Sequence, residues 1–200
     1  MKSNVCRIEK GTKDLDAILR ESEKVAVYND LTHKQSLQLR LLCEEIDGML
    51  PEIIDDFAGD LWIEFEDGVC KVNVSIEFAE FSVEKKQELV ALATNKKNAA
   101  ATGVVGKIRS AVENLFLNED TMHMYAMSSE SFYAASGYTL NMDNSYLWSL
   151  EQYRNMVQKD KTQSEAWDEL EKSVIASVAD DVIIGVKGKR ANIVIVKKFA

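Results

Sequence analysis

The chain has 200 residues, 46% of them hydrophobic, and a formal net charge of −9. That is ample material for one globular core, and the negative charge argues against nucleic acid or an anionic membrane as the main partner. No apolar run approaches the roughly 20 residues of a membrane span. Met1-Lys2-Ser3-Asn4-Val5-Cys6 has no apolar stretch of the kind a secretion signal needs. The cysteines at 6, 43 and 70 fit neither a disulfide framework nor a zinc site, so the cytoplasm is the expected compartment.

Charge is distributed unevenly. From Glu44 to Asp67 every ionisable side chain is acidic, whereas the C-terminal stretch carries Lys187, Lys189, Arg190, Lys197 and Lys198. Two readings follow: solvated faces of opposite sign, or a basic strand edge that meets an acidic partner.

In chain order, Val5–Ile8 reads as a short strand and Asp14–Val27 as a helix. Thr32 is positioned to cap a central helix, its hydroxyl accepting one of the orphan backbone N–H groups. In that helix Leu39, Leu42, Cys43, Ile46, Met49, Leu50 and Ile53 share one face at the 3.6-residue period. Pro51, the single proline, is expected to interrupt or kink the helix without forbidding its continuation to Phe57.

A hairpin follows. Leu61–Glu66 runs through Asp67-Gly68 into Val69–Phe78, and Asp-Gly is a strong two-residue turn signal. Cys70, Val72, Val74, Ile76 and Phe78 alternate with Lys71, Asn73, Ser75 and Glu77, the pattern of a sheet covered on one face. Ser82 is expected to cap a helix through Ala93, and another helix spans Gly103–Leu117. Residues from Asn118 to Asn144, rich in Ser, Tyr and Met, read as an insertion or lid. Helical patterns return at Tyr146–Lys159 and Ser164–Ala179, the latter with Trp167, Leu170, Val174 and Val178 on one face. Strands at Val182–Val186 and Asn192–Phe199 form a closing hairpin.

This order of helix, hairpin, glycine-opened helix and terminal hairpin resembles the GHKL ATPase superfamily, nearest in layout to the bacterial anti-sigma-factor kinases. The resemblance covers about residues 5–117 and 180–199. It implies a helix whose acid polarises the attacking water, with a magnesium-ligating asparagine four residues later. The acid is then Glu44 or Glu45, and Glu45 is preferred because Ile46 falls where the family has a leucine. Four residues on stand Met49 and Gly48, neither of which offers the oxygen a hard cation needs. The family's adenine-reading Asp-x-Gly-x-Gly is also missing: no glycine lies between Gly68 and Gly103, and Glu77 or Glu80 is the nearest substitute.

Gly103-x-x-Gly106 resembles the second glycine box. Backbone amides at that helix start, with Lys107 beside them, suit phosphate, and Lys96 and Lys97 would sit on the lid. Hydrogen bonds to charged groups are worth about 1.5–3 kcal/mol each. Losing both the aspartate and the asparagine therefore weakens binding by about two to four decades.

Other chemistry finds less support. Adjacent carboxylates diverge by about 100° on a helix, so Glu44 and Glu45 cannot work as a facing acid–base pair. Met122-His123-Met124, with Tyr125 and Met127, offers soft ligands of the copper(I) type, but thioethers covering apolar surface explain it as well, and no metal site is expected. His33 is expected to be exposed, and no serine sits in a hydrolase setting. Phe132, Tyr133, Tyr138, Tyr146 and Trp148 either bind a partner or pack the insertion onto its parent domain.

The expectation is one α+β domain over residues 1–200: a two-layer sandwich of mostly antiparallel sheet with helices on one face, GHKL-like, with residues 118–179 inserted before the last hairpin. Its expected role is that of a regulatory or interaction protein with vestigial nucleotide binding. Glu45 and Glu44 are the candidate catalytic acids, and Gly103, Gly106 and Lys107 the candidate phosphate contacts. ATP is the candidate ligand, magnesium lacks its oxygen donor, and another protein is the expected partner. The alternative is a working ATP-binding protein, an anti-sigma-factor-like serine kinase.

Overall fold

A computed structural model describes residues 1–11, 15–54, 56–78, 103–117, 146–159, 164–187 and 190–199. The elements are β1 (Cys6–Glu9), α1 (Leu15–Tyr28), α2 (His33–Ile53), β2 (Phe57–Glu66), β3 (Val69–Phe78), α3 (Gly103–Leu117), β4 (Tyr146–Ser149), α4 (Leu150–Lys159), α5 (Ser164–Lys172), α6 (Val174–Val178), β5 (Asp181–Lys187) and β6 (Arg190–Lys198). Among the described residues the strands form one six-stranded sheet in the order β1-β2-β3-β6-β5-β4, every neighbouring pair antiparallel. The class is α+β, an antiparallel sheet with helices. The helix expected at 82–93 and the segment at 118–144 lie outside the described residues.

Local chemistry explains the central elements. Thr32 closes a full capping box: Gln35 N–H donates to its Oγ1 at 3.4 Å, and its own N–H donates to Gln35 Oε1 at 2.9 Å. The α2 residues Leu39, Leu42, Cys43, Ile46, Met49, Leu50 and Ile53 are all buried, as their spacing requires. At the hairpin Asp67 and Gly68 both take positive φ, 49° and 76°, the backbone of a turn that matches strand twist. Gly59 on β2 has a different reason to be glycine. A Cβ there would lie 2.2 Å from the Ser75 carbonyl oxygen and 2.8 Å from Ile76 Cα.

One core joins the helices to alternate residues of the sheet. Ile18 and Val25 of α1, Leu42 and Ile46 of α2, Val104 and Ile108 of α3, and Leu150 and Val157 of α4 pack with Ile8, Leu61, Ile63, Val72, Val74, Ile184, Ile193 and Ile195. The other face has two characters. On β2, Ala58, Asp60, Trp62 and Glu64 are half-exposed, as expected for a sheet covered on one side. On β5 and β6, however, Ile183, Val194 and Val196 are 1%, 7% and 0% exposed, so this half is buried on both faces. Unbroken apolar runs such as Ile193-Val194-Ile195-Val196 suit that environment.

Three boundaries and one strand position differ from expectation. α2 ends at Ile53, where Ile54 turns extended (φ −133°, ψ 122°), and Phe57 opens β2 opposite Phe78 instead of ending the helix. Tyr146–Ser149 is a strand paired with β5, and the helix starts only at Leu150. Ser173 interrupts the long C-terminal helix by capping α6, its Oγ accepting from Ala176 N–H. With that break, Trp167 and Val174 are exposed and do not continue the apolar face of Leu170. Lastly, β6 is an interior strand between β3 and β5, not a basic edge. Its cations have intramolecular partners: Arg190 pairs with Glu77, and Lys197 Nζ lies 3.5 Å from Asp180 Oδ1.

Candidate functional site

The acid-bearing turn of α2 is fixed by its buried face. Leu42, Cys43 and Ile46 are completely buried, which places Glu44 and Glu45 at the half-exposed margin. The two acids then diverge. Glu44 accepts from Arg40 Nε at 3.0 Å one turn earlier, and the same guanidinium reaches Glu23 of α1 at 3.2 Å. It is one rung of an ion ladder joining α1 to α2. Glu45 makes no hydrogen bond or ion pair among the described residues and is half-exposed.

The positions four residues on have opposite fates. Met49 is 4% exposed and belongs to the core. Gly48 is exposed, with nothing within 4 Å of where its Cβ would be. One turn along from the acids there is thus a thioether in the core on one line and bare backbone on the other. Neither is an oxygen ligand for magnesium.

α3 packs beside α2, and Arg109 Nη1 donates to the Glu52 carbonyl oxygen at 3.3 Å near the α2 C-terminus. Gly103 opens the helix at φ +78°, a left-handed conformation that strains any L side chain. Since a Cβ would meet no atom within 4 Å, backbone conformation and not crowding selects glycine here. Gly106 is buried, Val104 and Ile108 point into the core, and Lys107 is half-exposed without an ion pair among the described residues. The fold makes the two helices neighbours, but no bond links Glu44 or Glu45 to Gly103, Gly106 or Lys107 among the described residues. Glu77, the substitute for the adenine-reading aspartate, is engaged by Arg190. Glu80, Lys96, Lys97 and the Met122–Met127 cluster lie outside the described residues.

A polar centre that the sequence did not reveal lies at the β4–α4 junction. The Asp181 carboxylate, 1% exposed, accepts from Ser149 Oγ at 3.0 and 3.1 Å, from Glu151 N–H at 2.9 Å and from Val182 N–H at 2.8 Å. Ser149 Oγ in turn accepts from Gln152 N–H at 3.3 Å, capping α4. Three donors, two of them at the start of α4, explain how a carboxylate can sit there without a cation. Nearby, the Arg154 guanidinium donates to the carbonyls of Ala176, Ala179 and Asp180, closing the C-terminus of α6. Both features are structural ties: Asp181 fixes the start of α4 to β5, and Arg154 fixes α4 to the end of α6. A Ser-x-x-Gln spacing at 149–152 was the available signal.

Among the described residues no group of three or more His, Cys, Asp or Glu side chains is arranged to hold a metal ion, and no helix is long and apolar enough to cross a membrane. Cys6, Cys43 and Cys70 are buried, none in a disulfide. Burial pushes the Cys43 thiol far above its ordinary range and the Cys70 thiol up to about 12. Compared with models of known protein families, with curated proteins and with solved structures, the chain matches none.

Proposed function

We propose that the chain is a cytoplasmic regulatory or interaction protein built on an ATPase-like scaffold of the GHKL kind, in which nucleotide binding is weak or vestigial. The observation that carries this reading is Met49. The position one turn after the preferred acid, where an ATPase of this type places its metal-binding amide, is a core side chain at 4% exposure. Restoring a ligand there would mean withdrawing a methionine from the core, a loss of about 2–5 kcal/mol. The ion pair between Glu77 and Arg190 points the same way, because it removes the nearest candidate for reading a base. The three buried thiols suit a reducing compartment.

The test is a thermal-shift panel with ATP, ADP and GTP, with and without magnesium, beside a hydrolysis assay. A ligand at 100 times its Kd stabilises by about 2.7 kcal/mol. The expected result at millimolar nucleotide is a far smaller shift, indifferent to magnesium, with no hydrolysis. Magnesium-dependent hydrolysis abolished by Glu45→Gln would overturn the proposal.

A second reading, a working ATP-binding protein of the serine-kinase type, is favoured by one pairing. Glu45 is half-exposed without a partner among the described residues, and Lys107 stands likewise beside the glycine-opened start of α3. It predicts a saturable ATP shift that Lys107→Ala weakens.

A further inference from the structure

Among the described residues strand β1 ends the sheet, and its sequence is self-complementary in charge. It pairs with β2 as Cys6↔Leu61, Arg7↔Asp60, Ile8↔Gly59 and Glu9↔Ala58. Lys10 N–H donates to the Phe57 carbonyl at 3.1 Å, which makes the Lys10 position a hydrogen-bonded pair. In an antiparallel ladder such pairs alternate, so Ile8 and Cys6 also bond toward β2. The amide and carbonyl groups of Arg7 and Glu9 therefore point away from β2, toward the outer edge. Ile8 is buried beneath the helices, while the Arg7 and Glu9 side chains lie exposed on the opposite face.

We propose that this edge pairs antiparallel with β1 of a second copy of the chain, about a two-fold axis at Ile8, so that two sheets become one continuous sheet. Parity and charge select that register together. Centred on Ile8, Arg7 of each copy stands opposite Glu9 of the other, and both positions present outward backbone groups, giving two hydrogen-bonded pairs. Centred on Arg7 or on Glu9, the backbone parity is also acceptable, but two like charges face each other directly, which destabilises a strand pair. Arg7 keeps its contact with Asp60 Oδ1 at 3.2 Å through one nitrogen, and a guanidinium has further donors for a second carboxylate. At the other end of the strand the edge is closed by the chain itself: Asn4 N–H donates to Glu21 Oε2 at 3.1 Å, and the Asn4 amide to Glu21 Oε1 at 3.2 Å. The pairing is thereby confined to the segment where charge and parity agree. The partner is a second copy because the complement to Arg7-Ile8-Glu9 read antiparallel is the same sequence.

Sedimentation equilibrium of the intact chain tests this against the 22.5 kDa monomer. A reversible dimer is expected, weakening as salt rises. Arg7→Glu and Glu9→Arg should each raise the dimer Kd at least tenfold. An equimolar mixture of the two variants should recover association, since each then opposes the other's charges. The double variant Arg7→Glu with Glu9→Arg should recover it within one chain. If one single variant loses its fold by circular dichroism, the other single variant and the double variant decide. A wild type that stays monomeric, or a dimer whose Kd is unmoved by both reversals, would overturn the proposal.

Discussion

Strands β2 and β3 alternate strictly along much of their length, with core residues such as Cys70, Val72, Val74 and Ile76 separated by Lys71, Asn73, Ser75 and Glu77. Strands β5 and β6 contain unbroken apolar runs, Val182-Ile183-Ile184 and Ile193–Val196. The two halves share one sheet and one core, yet Asp60, Trp62 and Glu64 reach solvent while Ile183, Val194 and Val196 do not. Asn73 marks the boundary. It sits opposite Val194 at 8% exposure and satisfies its amide on the neighbouring Lys71 carbonyl at 3.1 Å. Alternation thus reports how many faces of a strand are covered, not merely that a strand exists.

Substitutions that alter charge on each half should have very unequal effects. Val196→Asp puts a carboxylate at a completely buried site and should lower stability by about 4 kcal/mol or more, enough to unfold a marginal domain. Asp60→Asn on the polar half should remove no more than about 1 kcal/mol, its ion pair with Arg7 being exposed. Chemical denaturation of both variants checks the contrast, and equal losses would erase the distinction between the halves.

A smaller effect is expected from Gly59→Ala. Because the added methyl would meet the Ser75 carbonyl oxygen and the Cα of Ile76 as well as its Cγ2, the strands must part, at about 1–3 kcal/mol. Gly48→Ala, in open space on α2, should instead stabilise by roughly 0.5–1 kcal/mol through helix propensity.

Much of the first half was legible because its signals are local. The Thr32 capping box, the 3.6-residue apolar face of α2, the Asp67-Gly68 turn and the glycine at the start of α3 each depend on neighbours within a few residues. The C-terminal half was less so. Tyr146–Ser149 precedes a helix directly and is apolar, so its strand character follows only from pairing with β5. Ser173 looks like an ordinary helix residue until its side chain caps the next turn. At the candidate site the residue types could be read, but not their engagements. Glu44 is held by Arg40 and Arg40 by Glu23, while Glu77 meets Arg190 across strands far apart in sequence. Asp181 gave no signal at all, because its environment is created by Ser149 and α4.

The finest test concerns acid. Glu21 lies beside Lys24 at 2.6 Å and accepts both the Asn4 amide and its backbone N–H. The Lys24 ammonium above all, aided by Asn4 and opposed by burial, holds its carboxyl below the usual carboxylate range. A group with a depressed folded pKa contributes stability that is complete above its unfolded pKa, near 4.5, and is lost as pH falls through the lower folded value. Glu21→Gln should therefore flatten part of the acid limb of a stability–pH curve below about pH 4.5 and leave its slope at neutral pH unchanged.

The three cysteines turn the protein into its own opening gauge. One sits in an end strand, one in the central helix and one in the hairpin, each sealed under the same apolar roof and chemically muted while it stays there. A thiol-specific label applied under native conditions would therefore mark each position only when its own element lifts away. Comparing the three labelling rates would show whether β1 frays ahead of α2 and β3 or the whole assembly lets go at once.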